Sequence, residues 1–287
     1  MRSSLHRIER AKPLLGTFVS VRVHGLAPEK AHKAIDAAFG EISTIHALMS
    51  FHEADSDVSL LNREAHHRPV QVDERTYAVL ERSASISEVS EGHFDIAIAP
   101  RLVEAGHLPK PLHSLEPDDR ASWRDIVLLP GFQVRFRRPL WIDLGGIAKG
   151  FAVDCAAQRL ASFAPELTCI NAGGDLRLDG PLAERVRLVQ EAPDRDSVPV
   201  MEIENASLAS SGSYPGKHKF TGPHFDPRRK RWSPARRFAS VVAPNCIDAD
   251  ALTKIVLIRG RRAAPVLRRF GARAVVRNTR GLWQEVA

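Results

Sequence analysis

The strongest periodic signal in this chain is a run of apolar residues spaced three or four apart between residues 29 and 49. That spacing places one apolar stripe along a helix, so it predicts a long amphipathic helix buried on one side. The residues of the predicted stripe are Ala31, Ala34, Ile35, Ala38, Phe39, Ile42, Ile45 and Met49. Residues 17–23 alternate apolar and other side chains, which is typical of a half-buried strand preceding this helix.

The remaining pattern mixes strands with occasional helices. Asp73 suits the N-cap of a second helix that runs to about Ser90 and stops at Gly92. A third helix is predicted to bury Ile147, Phe151, Cys155, Leu160 and Phe163, and two more cover a segment from Asp248 and residues 263–270. Further strands are predicted at residues 127–129, 133–137, 140–142, 168–171, 175–178, 185–189, 200–203, 240–243 and 272–277.

Runs of strands with intermittent helices favour an α+β fold over a regular βα repeat. We expect a single two-lobed domain over residues 1–287, with mixed or antiparallel sheets and flanking helices. Residues 1–12 precede the first predicted strand, and we expect them to form a flexible N-terminal segment.

The composition is that of an ordinary globular protein. Of the 287 residues, 44% are hydrophobic and 26% are charged. No apolar run approaches the roughly 20 residues that a bilayer-spanning helix needs, and the N-terminus lacks the apolar core of a secretory signal. The three cysteines are widely spaced, which disfavours a disulfide framework or a zinc site. We therefore expect a cytoplasmic protein without membrane insertion.

The formal net charge is +7, and much of the excess lies in basic segments late in the chain. These segments are residues 228–231, 236–237, 259–262 and 268–269. A basic patch can bind nucleic acid, but few aromatic residues are interleaved here and no nucleic-acid motif is present. We interpret the segments as a solvated basic face, with attraction of an anionic substrate as an alternative, and expect no nucleic-acid partner.

The most informative motif is residues 143–149, which read Asp-Leu-Gly-Gly-Ile-Ala-Lys. A predicted strand ends at Asp143, two glycines follow, and Lys149 stands in the first turn of the next predicted helix. A helix N-terminus offers free N–H groups to a phosphate, and glycines let a ligand approach the backbone closely. The motif indicates an anion or nucleotide site, although a tight turn explains the glycines equally well. It matches neither the dinucleotide-binding fingerprint nor the P-loop.

Three other segments place polar groups where chemistry is feasible. Residues 171–175, Asn-Ala-Gly-Gly-Asp, predict a second glycine turn, either around a ligand or as a simple hairpin. His224 is a possible general base close to Asp226, although a structural histidine is an alternative. Asp248 and Asp250 open a predicted helix, where carboxylates either cap the helix or bind Mg²⁺.

Taken in order, these motifs resemble the ApbE family of FAD:protein FMN transferases. The matching segments span most of the chain and are residues 13–17, 49–57 with Asn62, 92–95, 143–150 with Asp154, 171–175, 210–212, 224–227 and 249–252. The resemblance implies an enzyme that binds FAD with Mg²⁺ at the pyrophosphate. A Thr or Ser hydroxyl of a target protein attacks the phosphorus of the FMN half, a phosphoester-linked flavin forms, and AMP leaves.

The resemblance also assigns roles to individual residues. The flavin-nucleotide contacts it implies are Leu15, His52, His93, Phe94, Asp95, Asp143, Lys149, Asn171, Gly173, Gly174, Asp175 and Phe225. The metal ligands it implies are the carbonyl of Gly146, the carboxylate of Asp250 and the hydroxyl of Thr253. His224 matches the histidine expected to act as base, with the carboxylate of Asp226 as its catalytic neighbour.

The chain departs from the family pattern at four places. Leu15 replaces a frequent Met, His52 replaces a frequent Tyr, and the histidine motif at residue 224 is one residue shorter. The family usually has a metal-binding Thr four residues after the metal Asp, where this chain has Lys254. An ammonium group cannot ligate Mg²⁺ and repels it. Either Thr253 takes over, or Lys254 partly replaces the metal, or metal binding is weakened.

Four functional hypotheses follow, in order. The first is transfer of FMN from FAD to a protein hydroxyl. The second is FAD hydrolysis at the same site, with water as the acceptor and FMN and AMP as products. The third is a non-catalytic flavin-binding or carrier protein whose transferase activity was lost with the change at Lys254. Nucleic-acid binding is a distant fourth.

Overall fold

The structure is a computed structural model that describes residues 7–188, 199–212, 221–234 and 237–287. Its helices are α1 (Pro28–Met49), α2 (Asp57–Glu64), α3 (Glu74–Val89), α4 (Ala99–Glu104), α5 (Ala148–Ala161), α6 (Cys246–Arg259) and α7 (Ala264–Arg269). Its strands are β1 (Arg7–Leu14), β2 (Thr17–His24), β3 (Val70–Gln71), β4 (Ile126–Leu129), β5 (Gln133–Phe136), β6 (Leu167–Ala172), β7 (Asp175–Asp179), β8 (Glu184–Arg187), β9 (Val200–Ile203), β10 (Ala206–Gly212), β11 (Thr221–Asp226), β12 (Arg231–Pro234), β13 (Phe238–Ala243), β14 (Arg273–Arg277) and β15 (Trp283–Val286).

These elements confirm the predicted α+β class with antiparallel sheets. Except for residues 140–142, each predicted strand is found within two residues of its predicted limits, residue 189 lying outside the described residues. The long first helix is confirmed as α1, and all eight residues of its predicted stripe are buried. Asp73 caps α3 as predicted, with its side chain accepting from the Arg75 amide at 2.9 Å.

The chain divides into two compact units, and the single domain over residues 1–287 stays a prediction. Unit 1 consists of Met1–Ser43, Lys149–Pro223 and Pro234–Ala287. Its framework is an eight-stranded sheet in the order β1-β2-β6-β7-β10-β13-β14-β15. Helix α6 packs on β10 and β13 of this sheet, and ten of its fourteen residues are buried. The helix therefore belongs to the core of unit 1 over most of its length.

The first strand corrects the prediction of a flexible segment. Arg7–Leu14 pairs with β2 along its whole length, from Arg7 opposite His24 to Leu14 opposite Thr17. Leu15 and Gly16 form the connecting turn with φ of 55° and 68°, the conformation that tight hairpin turns need. Flexibility was therefore the wrong prediction from residue 7 onward. The strand was missed because most of its side chains are exposed, and it pairs with β2 along one edge. Residues 1–6 lie outside the described residues.

Unit 2 consists of Thr44–Ala148 and His224–Ser233, and contains a three-stranded sheet in the order β3-β5-β4. Residues 140–142 of this unit are not a strand, contrary to prediction. The Asn62 side chain takes the place of a neighbouring strand, because its Nδ2 donates to the Ile142 carbonyl at 3.0 Å and its Oδ1 accepts from the Ile142 amide at 2.7 Å. The Asp143 amide donates to the Ile96 carbonyl at 2.9 Å. A buried extended segment is thus satisfied without joining a sheet.

Over the described ranges, none of the helices combines the length and the apolar composition that crossing a bilayer requires. The three cysteines, Cys155, Cys169 and Cys246, are all free thiols.

Candidate active site

The predicted site residues fall into two groups, one in each unit. Unit 1 holds Leu15, Lys149, Asn171, Gly173, Gly174, Asp175, Asp250 and Thr253. Unit 2 holds His52, His93, Phe94, Asp95, Asp143, Gly146, His224, Phe225 and Asp226.

In unit 1, two lysines and two aspartates form what we call the charged cluster: Lys149, Asp175, Asp250 and Lys254. Lys149 lies in the first turn of α5 and forms an ion pair with Asp175 at the start of β7. Lys254 forms an ion pair with Asp250 one helical turn earlier on α6. The two carboxylate side chains are at most 1% exposed, whereas the Lys149 side chain is 33% exposed and Lys254 is 16% exposed. The ammonium groups are therefore the solvent-facing part of the cluster.

Burial and charge act differently on the two carboxylates. For Asp250, burial alone would raise the pKa, but the Lys254 and Lys149 ammonium groups hold it below its ordinary value. For Asp175, burial and the charge of Asp250 raise the pKa to about 6, and Lys149 opposes that rise only in part. Its Oδ1 atom is buried and has no hydrogen-bond partner among the described residues. An orphaned carboxylate oxygen beside an ammonium group is suited to receive a polar ligand atom.

Close contact between α5 and α6 positions Asp250. The Gly150 amide donates to Asp250 Oδ2 at 3.1 Å. A Cβ at position 150 would lie only 2.2 Å from the Cys246 carbonyl oxygen and 2.9 Å from Asp250 Cβ, so only glycine fits there. Helix α5 buries Ala152, Val153, Ala156 and Leu160, whereas Phe151, Cys155 and Phe163 of the predicted face are only half-buried. The helix is turned to bring Gly150 against α6.

Asp154, one turn after Gly150 on α5, also connects α5 to α6. Its two carboxylate oxygens accept from the Cys246 and Ile247 amides, each at 2.8 Å. These amides belong to the first turn of α6, where the N–H groups have no partner within the helix. Burial raises the pKa of Asp154 to about 6, and the two amides oppose that rise. Helix α6 begins at Cys246, so the predicted start at Asp248 was two residues late.

The turn before Asp175 is a two-residue hairpin between β6 and β7. Gly173 and Gly174 have φ of 64° and 103°, and the Asn171 side chain accepts from the Gly174 amide at 2.9 Å. A Cβ on Gly173 would lie 2.5 Å from Thr17 Oγ1. The hairpin interpretation accounts for both glycines, and the turn delivers Asp175 to the charged cluster.

Mg²⁺, which the family resemblance implies, does not fit the side chains around Asp250 as they stand. Lys254 Nζ pairs with Asp250 Oδ1, while Oδ2 accepts from the Gly150 amide. The fully buried Thr253 hydroxyl lies 2.7 Å from the Asp250 carbonyl and 2.8 Å from Ser211 Oγ, so protein groups already engage it. Across the described ranges, no group of three or more His, Cys, Asp or Glu side chains could hold a metal ion.

The predicted turn between Asp143 and Lys149 is confirmed at residues 145–147, with the helix beginning at Ala148. The Ile147 and Ala148 amides both donate to the Leu144 carbonyl, at 3.0 and 2.8 Å. A Cβ on Gly145 would lie 3.0 Å from Asp143 Oδ2, so the Asp143 carboxylate lies close against this glycine. The close approach of the Asp143 carboxylate explains why a glycine stands at position 145. The metal-binding role of the Gly146 carbonyl stays a prediction.

The histidine and aspartate residues of unit 2 form a second polar group. His93 Nδ1 lies 3.0 Å from Asp226 Oδ1, and both side chains are buried. The Arg229 amide also donates to Asp226 Oδ1, at 3.2 Å. The structure thus pairs Asp226 with His93, which the sequence analysis had assigned to flavin contact, and His224 lies two residues before Asp226 on β11.

Four more residues of unit 2 that the resemblance assigns to flavin contact are Asp95, Phe94, Phe225 and His52. Asp95 accepts from the Ala97 amide at 2.8 Å and the Trp123 amide at 3.2 Å, and burial raises its pKa to about 6. Phe94 is buried, and the Phe225 ring contacts Trp232 edge to face with centroids 5.3 Å apart. The exposed ring of His52 contacts Phe51 edge to face at 6.4 Å. Their assignment to flavin contact stays a prediction.

Residues 15–276 match the model of a protein family described as the ApbE family. A Treponema pallidum protein named FAD:protein FMN transferase is 27% identical over 304 residues, covering 94% of this chain and 83% of its own length. A Vibrio cholerae protein of the same name is 25% identical over 276 residues, covering 88% and 82%. The solved structure of the ApbE protein from Thermotoga maritima matches with a TM-score of 0.83 at 22% identity, covering 98% of this chain and 97% of that one. These likenesses confirm the predicted fold.

Proposed function

Because this chain belongs to the ApbE family, we propose that it is an FAD:protein FMN transferase. In the proposed reaction, the oxygen of a Thr or Ser hydroxyl on an acceptor protein attacks the phosphorus of the FMN half of FAD. The bond from that phosphorus to the bridging oxygen breaks, and AMP leaves with the bridging oxygen. The hydroxyl proton passes to a base, and FMN remains attached through a phosphoester.

The observation that supports this reaction most strongly is the ammonium of Lys149, which lies in the first turn of α5 and pairs with the buried Asp175 carboxylate. Phosphoryl transfer depends mainly on positioning and on stabilising negative charge. Burial alone would lower the pKa of Lys149, but Asp250 and Asp175 raise it above its ordinary value, so the group remains a cation at neutral pH. We propose that Lys149 stabilises the negative charge of the FAD pyrophosphate.

The base is proposed on the sequence assignment of His224, with Asp226 as its catalytic neighbour. The pairing of Asp226 with His93 adds a second imidazole to this region of unit 2. Removing the proposed base, His224, should alter the pH dependence of the reaction. Loss of a purely structural histidine should instead lower stability.

FAD and an acceptor protein are the partners of the proposed reaction. We also propose a cytoplasmic location, which the three free cysteines fit. The basic segments contain exposed residues at Arg228, Arg231, Arg261 and Arg268, as a solvated face requires, and Arg236 lies outside the described residues.

The test is a product analysis with FAD and a peptide library carrying single Thr or Ser residues, with Ala replacements as matched controls. The proposal expects AMP release together with covalent flavin on hydroxyl-containing peptides only. AMP and free FMN without labelled peptide would instead identify FAD hydrolysis. Tight FAD binding without AMP release would identify a flavin-binding protein and exclude both enzymatic reactions.

A further inference from the structure

We infer that the ammonium group of Lys254 serves as a built-in cation at Asp250, so that substrate binding and turnover in this protein do not need Mg²⁺. The inference deepens the proposed function and rests on it for the identity of the substrate. It concerns one residue, which stands where the family resemblance implies a metal-binding threonine hydroxyl.

The geometry around Lys254 Nζ is that of an ammonium group with all its donors used. Nζ pairs with Asp250 Oδ1, lies 3.0 Å from the Asp250 backbone carbonyl, and lies 3.3 Å from Ser211 Oγ. A lysine ammonium has three N–H donors and no acceptor. Three oxygen atoms of different kinds therefore surround one positive charge, as hard oxygen ligands would surround a divalent ion.

The Thr253 hydroxyl does not serve as the metal ligand that Lys254 cannot supply. The Thr253 hydroxyl is fully buried, with oxygen partners at 2.7 Å on Asp250 and 2.8 Å on Ser211. Turning this side chain toward a metal would break both contacts in a site where unpaired polar groups are costly. A shift of α6 would in turn disturb the Gly150 contact, where there is no room for even one additional carbon. The helix is held in the register that presents Lys254.

Charge leads to the same conclusion. The cluster contains two aspartates and two lysines, so its formal charges already cancel without a metal. A divalent ion at Asp250 would sit next to an ammonium group that is tethered four residues away and is only 16% exposed. Repulsion at such short range is strong in a site of low effective dielectric constant. Lys254 would have to leave Asp250 before a metal could bind.

The experiment compares wild-type protein with Lys254→Thr and Lys254→Met, using Mn²⁺ as the metal probe and FAD as the substrate. Wild-type FAD affinity and AMP release should change less than about twofold between excess EDTA and excess Mg²⁺. Lys254→Thr should bind Mn²⁺ at least about tenfold more tightly than wild type, and its FAD affinity and AMP release should become Mg²⁺-dependent. Lys254→Met, which supplies neither charge nor ligand, should lose FAD affinity in EDTA.

The matched control is Lys33→Thr, because Lys33 pairs with Glu29 at the same four-residue spacing on an exposed helix face. That variant should behave like wild type in every assay. Wild-type AMP release or FAD binding that fails in EDTA and recovers with Mg²⁺ would overturn the inference. So would Mn²⁺ binding as tight in wild type as in Lys254→Thr. If no variant releases AMP, the proposed function fails, while the Mn²⁺ and FAD binding data still decide the role of Lys254.

Discussion

Helices α1 and α6 each carry a lysine four residues after an acidic residue, yet the two pairs differ in burial. Glu29 and Lys33 are 83% and 69% exposed and lie 2.7 Å apart at the start of α1. On α6, Asp250 is fully buried and Lys254 is 16% exposed. Water screens the first pair, which makes it a weak surface contact. Separating the second pair would leave the Asp250 carboxylate buried without its partner, which is costly. The same four-residue spacing therefore keeps the Lys254 ammonium at Asp250.

The largest test of this difference is Asp250→Asn, which removes a charge and keeps the size of the side chain. Lys254 and Lys149 then lose a buried counter-charge, and breaking a buried pair in this way costs about 3–5 kcal/mol. Urea unfolding should show a loss near that range, with Glu29→Gln as the exposed control. A loss below about 1 kcal/mol would mean that Asp250 is not a buried partner of the lysines.

Gly150→Ala should produce the next largest effect. The new methyl group would overlap the Cys246 carbonyl at 2.2 Å, so α5 and α6 must separate, at a cost of about 1–3 kcal/mol. Gly40→Ala on α1 is the matched control, since a Cβ there meets nothing within 4 Å, and it should stabilise slightly. Equal unfolding midpoints for the two variants would contradict the close helix contact.

A smaller effect concerns pH and Asp154. Its folded pKa of about 6 lies above the ordinary value of 3.8, so between these pH values the folded state binds more protons than the unfolded state. The free energy of unfolding should therefore fall as pH rises through this window. Asp154→Asn should reduce that fall by about 1 kcal/mol or more. Unfolding curves at pH 4, 5, 6 and 7 measure it, and parallel profiles for the two proteins would exclude the shift.

The smallest effect is expected at the exposed pair. Lys33→Ala should change the free energy of unfolding by no more than about 0.5 kcal/mol, and added salt should reduce that difference further. A change of several kcal/mol would mean that exposure does not separate the two pairs, and the comparison would fail.

Elements were predictable from the sequence where the residues that determine them lie within one segment of the chain. The α1 stripe was predictable because helical periodicity lies within one segment, and all eight residues proved buried. The segment at 140–142 was not, because its hydrogen-bond partner is the side chain of Asn62, 80 residues away. The edge strand β1 was not predicted, because most of its side chains are exposed and show no apolar alternation.

Site residues were likewise predictable only where a short motif identifies them. Lys149, Asp175 and Asp250 were named from short motifs, and Lys254 was singled out as an anomaly in the family pattern. The roles of Gly150 and Asp154 were missed, because their contacts are with the first turns of a helix that begins more than 90 residues later in the chain. A carboxylate that caps a distant helix leaves no local pattern in the sequence.

The most direct test of the proposed chemistry is flavin transfer from FAD to hydroxyl peptides by Lys149→Met, compared with Lys33→Met. If the charged cluster stabilises the pyrophosphate, Lys149→Met should lose on the order of 100-fold or more in the rate of AMP release. Lys33→Met should match wild type, and both variants should remain folded. Wild-type rates of AMP release and peptide labelling in Lys149→Met would contradict the central claim that Lys149 stabilises the negative charge of the FAD pyrophosphate.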